Sequence, residues 1–108
     1  MMQTVRGYMG REIRLTEDAI GHISEDHPEL LRIGLESSIA DAIADPDIVM
    51  RSRRRDVGEL FYKQRMSDPF VNRHLCVVVK MLENYGYVWT AYIVNRLRRG
   101  EVIWRKEQ

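Results

Sequence analysis

The hydrophobic pattern of this chain changes period near its middle, from the three-to-four spacing of helices to the alternation of strands. Between Glu17 and Asp26 the apolar positions Ala19, Ile20 and Ile23 fall at helical spacing, with His27 a further turn along. Thr16 precedes them as an N-cap, and Glu17 and Asp18 put negative charge in the first turn. Pro28 disfavours helical backbone at His27, so a helix is predicted over Glu17 to Asp26. Pro28 itself suits the first position of a second helix, where its missing N–H would have lacked a partner in any case. Leu31, Leu35, Ile39, Ala42 and Ile43 then recur at helical spacing and carry that helix to about Ala44.

Extended segments follow the turn signal Asp45-Pro46-Asp47. Ile48 to Arg53 is extended, and Arg53 to Gly58 makes a charged turn. Glu59 to Met66 reads as a strand with Phe61, Lys63 and Arg65 on one side and Leu60, Tyr62 and Gln64 on the other. The strongest segment is His74 to Asn95, in which the β-branched run Leu75 to Lys80 and the apolar run from Tyr87 flank turn residues at Asn84 to Gly86. It reads as a hairpin at the centre of a sheet. On its second arm strict alternation places Val88, Thr90, Tyr92 and Val94 on one face and Tyr87, Trp89, Ala91 and Ile93 on the other. The helices are expected to cover the second set, which turns the Thr90 and Tyr92 hydroxyls outward. Glu12 to Leu15 is a short strand before the first helix, Glu101 to Arg105 a closing one, and residues 1–11 a loose lead-in or a short edge strand. This order predicts a single α+β domain over residues 1–108, with an N-terminal strand and two helices packed on one face of a four- to five-stranded antiparallel sheet.

Composition narrows the class. Cys76 is the sole cysteine, which excludes a disulfide scaffold or a cysteine-based zinc site within one chain and fits a buried thiol in a reducing, cytoplasmic setting. No apolar run is long enough for a membrane span, and the first residues lack the apolar stretch of a secretory signal. Net charge is only +1, but residues 1–47 hold 4 Lys and Arg against 10 Asp and Glu, a balance of −6, while residues 48–108 hold 13 against 6, a balance of +7. Either the two layers pair internally, or the sheet offers a basic surface to a polyanion.

Several segments together resemble the phage-associated nuclease domains of the barnase, EndoU, colicin and RelE-like (BECR) group. They are IRLTEDAIGHISEDHPEL at Ile13 to Leu30, Asp45-Pro46-Asp47-Ile48-Val49, the LCVVVK strand, and VWTAYIVN at Val88 to Asn95. The resemblance implies a ribonuclease that needs no metal or other cofactor, of phage or toxin type. It also implies a site built from a helix histidine (His22 or His27), sheet cations (Arg51, Arg53 or Lys63) and the late-strand hydroxyls of Thr90 and Tyr92. Arg51, Arg54 and Tyr62 are expected to hold the RNA. The same strand, helix, helix, sheet order occurs in RelE and ParE toxins, so a non-catalytic module that engages an antitoxin or a phage assembly partner is the alternative.

The chemistry of these residue types agrees with the first reading without requiring it. Metal-free RNA cleavage needs a base for the 2′-hydroxyl proton, an acid for the leaving oxygen, and donors for the phosphorane oxygens. Histidine suits the first two roles, and two hydroxyls or two arginines spaced by two on a strand present both groups on one face. Each residue also has a plainer explanation. His22 and His27 are five apart, off the i,i+4 spacing of a helical metal pair by about 100° of rotation, and either can be a capping or packing histidine. His74 starts a strand, Thr90 and Tyr92 have high strand propensity, and the runs Arg53 to Arg55 and Arg96 to Arg99 suit solvated loops. Tyr62 and Tyr87 either stack bases or fill the core.

Overall fold

The computed structural model describes residues 3–53 and 58–107. Among them the chain forms a curled, mixed, seven-stranded sheet with one face covered by helices. The strands are β1 (Gln3–Arg6), β2 (Glu12–Leu15), β3 (Ile48–Arg51), β4 (Gly58–Lys63), β5 (His74–Met81), β6 (Gly86–Val94) and β7 (Val102–Arg105), in the spatial order β1-β2-β6-β5-β4-β3-β7. Every neighbour pair is antiparallel except β2 with β6. The α+β class is as expected, but the four- to five-stranded antiparallel sheet is not. Of the two readings of residues 1–11, a loose lead-in or a short edge strand, the second holds, since Gln3–Arg6 forms edge strand β1, and β2 joins β6 in parallel through Ile13 opposite Gly86 and Arg14 opposite Tyr87. Gly86 allows that approach, since a Cβ there would lie 2.5 Å from Met81 Sδ and 3.1 Å from both Ile13 Cδ1 and Val79 Cγ1.

Helix α1 (Glu17–Asp26) begins where expected, with Thr16 accepting from the Ala19 N–H at 3.1 Å. It ends at His27, whose own N–H bonds back to the Ile23 carbonyl. The single second helix expected over Pro28 to Ala44 is instead a 3-10 helix, Pro28–Ile33, followed by α2, Leu35–Ala44. Gly34 makes the break. It sits at φ 78°, a left-handed conformation that ends the first segment and that side-chain-bearing residues disfavour. The tighter 3-10 winding also changes which leucine points inward: Leu30 is buried and Leu31, counted on the helical stripe, is 61 % exposed.

The main core lies between the helices and the sheet, where Ile23, Ile39 and Ile43 meet Ile13, Val77 and Ala91. The curl brings the two ends of the sheet together on this side: Tyr8, in the β1–β2 turn, stacks on Trp104 of β7 at 4.8 Å and on Phe61 of β4 at 5.8 Å. A second, smaller core occupies the opposite face. There Met50, Leu60, Tyr62, Cys76 and Val78 pack with Leu97, from the β6–β7 connection.

A bulge in β6 decides which residues reach that second face. Val78 pairs with Thr90 but Val79 pairs with Val88, which leaves Trp89 as an extra residue in the ladder. The strict alternation expected along Tyr87 to Val94 therefore fails at this point. Val88 joins Ala91 in the core beneath the helices, while Trp89, Tyr92 and Val94 pack on the other face. Thr90 and Tyr92 do turn away from the helices, as expected, but Trp89 turns with them.

Candidate functional site

The β6–β7 connection crosses the second face, and between it and the sheet lies a cleft of about 480 Å³. Arg53 enters from the end of β3, Arg98 and Arg99 from the connection, and Trp89, Thr90 and Tyr92 from β6, over a floor of Leu60 and Val78. Three guanidinium groups around one recess give it an anion-binding character.

Hydrogen bonds under the cleft hold the connection in place. The fully buried Tyr62 accepts the Arg98 backbone N–H on its hydroxyl at 3.2 Å, and Arg98 Nη2 donates to the Tyr92 hydroxyl at 3.3 Å. Tyr62, Cys76 and Tyr92 stand opposite one another on β4, β5 and β6. Burial pushes all three side chains toward their neutral forms: the Cys76 thiol rises to about 11, and both tyrosine hydroxyls rise, chiefly through desolvation. Tyr92 thus keeps its hydroxyl proton, with Arg98 and the Cys76 thiol as its neighbours. Its ring also meets the ring of His27 edge-on, with centroids 5.6 Å apart. His27 Nδ1 lies 3.5 Å from a Glu29 carboxylate oxygen, an ion pair when the imidazole is protonated.

The residues singled out from the sequence separate into those that meet here and those that do not. Arg53, Thr90 and Tyr92 share the cleft, and His27 touches Tyr92. His22 lies one turn back along α1, exposed, in a separate recess of about 590 Å³ with Tyr87 and Trp89. Lys63 is on the helix-side face with Phe61, bonded to the Asp45 carbonyl and, at 3.1 Å, to its carboxylate. Lys106 adds two contacts to the same carboxylate, and these ammonium groups hold Asp45 below the usual carboxylate range. Lys63 therefore belongs to a structural ion pair and not to the cleft. Arg51 faces Glu101 at 2.9 Å on the surface. Tyr62 is too deeply buried to stack a base, and its role is to anchor Arg98. Arg54 lies outside the described residues.

Arg98, Arg99, Trp89 and Glu29 were not singled out from the sequence. Arg96 to Arg99 carried a signal, a dense cationic run just after the strand that bears Thr90 and Tyr92. Nothing local marks the bulge that turns Trp89. No group of three or more His, Cys, Asp or Glu able to hold a metal ion occurs among the described residues, and no helix among them is long and apolar enough to cross a membrane. No protein-family model, curated protein or solved structure matches the chain.

Proposed function

We propose that the chain is a metal-independent endoribonuclease of the BECR kind, acting at the arginine cleft. The observation that carries this reading is the contact between His27 and Tyr92 at the wall of a recess ringed by Arg53, Arg98 and Arg99. In such a reaction the 2′-oxygen attacks phosphorus, the bond to the 5′-oxygen breaks, and a cyclic phosphate remains. His27, at the edge of the Tyr92 ring, takes the 2′ proton. The departing 5′-oxygen takes its proton from water. Tyr92, kept protonated by burial, donates a hydrogen bond to a phosphate oxygen, and the arginines balance the charge that builds on the phosphorane. Incubating the protein with tRNA and a panel of structured RNAs in EDTA tests this. Cleavage is expected, with a loss of about a hundredfold or more in His27→Ala at unchanged circular dichroism. Intact RNA across the panel at high protein concentration refutes it.

One observation favours a binding module of the RelE or ParE kind instead: neither His22 nor His27 lines the cleft itself. Recovery of a stable protein complex, with no nuclease activity before or after the partner is removed, selects that reading.

A further inference from the structure

We propose that the sheet face turned away from the helices carries a track for a single-stranded polynucleotide, running from the arginine cleft across Trp89 to a row formed by Arg14, Tyr87 and Lys80. Val88 points into the core beneath the helices, so its neighbours Tyr87 and Trp89 point the other way, and the bulge keeps Thr90 beside them. Arg14 is the register partner of Tyr87 in β2, and Lys80 is its partner in β5. Neighbouring strands are about 5 Å apart, so cation, ring and cation stand side by side on one face.

Cations and rings alternate beyond this row as well. The Arg14 guanidinium lies 3.6 Å from the centre of the Tyr85 ring, and Lys80 Nζ lies 5.2 Å from that of Trp89. Trp89 borders both the arginine cleft and the separate recess at the edge between α1 and β6 that Tyr87 shares with Asp18 and His22, so its ring stands between the two depressions. Glu12 is bonded to Arg14 at 2.6 Å, which neutralises a carboxylate on this row and leaves Lys80 and the cleft arginines to set the field.

A groove of cations interleaved with half-buried aromatic rings matches the chemistry of an unpaired strand, whose phosphates seek charge and whose bases expose flat faces. A duplex hides those faces, so the ring positions select against it. The choice of RNA over DNA rests on the ribonuclease reading, whereas the track does not.

Fluorescence anisotropy with a labelled 2′-deoxy octamer in EDTA separates the two, because this strand lacks the 2′-hydroxyl that cleavage needs. The octamer is expected to bind at least about tenfold more tightly than a duplex of equal length, and Tyr87→Ala is expected to weaken it about tenfold. Lys80→Ala should lower the slope of log affinity against log salt by about 0.7. Both side chains are half-buried, and circular dichroism confirms that each variant folds. Failure of the parent protein to bind the octamer, a preference for duplex, or unchanged affinity in both variants overturns the track. Octamer binding together with intact RNA leaves the track standing and removes the nuclease. RNA cleavage with unchanged octamer affinity in both variants does the reverse.

Discussion

Replacing Arg11 by Met tests whether the curl of the sheet depends on a charge pair. Arg11 sits in the β1–β2 turn and donates to both carboxylate oxygens of Glu59 on β4, at 3.0 and 2.6 Å, while Nη2 also reaches the Tyr8 hydroxyl at 3.3 Å. The Glu59 side chain is 10 % exposed and that of Arg11 33 %. Removing one partner of a fully buried pair costs about 3–5 kcal/mol, because the remaining charge is left without solvent or counter-ion. The exposed part of Arg11 admits water to the pair, so Arg11→Met should cost less, about 2–3 kcal/mol. The Tyr8 stack on Trp104 should loosen with it, since Arg11 fixes the same turn. Urea denaturation read by circular dichroism gives the stability, with the slope as a check that unfolding remains two-state. Arg11→Met combined with Glu59→Leu removes both charges and should recover much of the loss, giving a coupling of about 1–3 kcal/mol. A cost below about 0.5 kcal/mol for Arg11→Met, or a double variant as unstable as the sum of its parts, would refute the reasoning.

Cys76 predicts a loss of stability in alkali. Its folded value lies above the ordinary 9.0, at about 11, so its contribution is complete below pH 9 and is lost as pH rises from there toward 11. By pH 10 that loss is about 1 kcal/mol, and Cys76→Ala should lack it; equal pH slopes in the two proteins sink the idea. Tyr92→Phe keeps the ring and removes a hydroxyl bonded to Arg98, so urea titration should show a loss of about 1 kcal/mol while RNA cleavage falls about a hundredfold. An unchanged rate excludes Tyr92 from the chemistry. Gly86→Ala must displace Ile13 and Val79 as well as the flexible end of Met81, and is expected to destabilise by about 1–2 kcal/mol; a rise in thermal midpoint would contradict the close approach of β2 to β6.

Local chemistry by itself determined a good part of this protein. The cap at Thr16, the stop at Pro28, the β5–β6 hairpin and the outward turn of Thr90 and Tyr92 each follow from residues within a few positions of one another. Gly34 has the low helix propensity that suits a break, but it lies inside a leucine and isoleucine spacing that by itself reads as one helix. Tertiary structure decided the rest, because those features depend on partners distant in the chain. The parallel pairing of β2 with β6 joins residues more than seventy positions apart, and the curl is closed by Tyr8 against Trp104. A bulge adds one residue to a ladder without any local mark, so the alternation that holds from Thr90 onward places Tyr87, Val88 and Trp89 on the wrong faces. That single residue is why Trp89 lines the cleft. Lys63 illustrates the same limit: its alternation with Phe61 was legible, but only the fold shows that their shared face lies under the helices, where Asp45 takes the charge. Arg98 reaches the cleft because a tyrosine thirty-six residues earlier holds its backbone, a contact that exists only once β4, β5 and β6 are side by side.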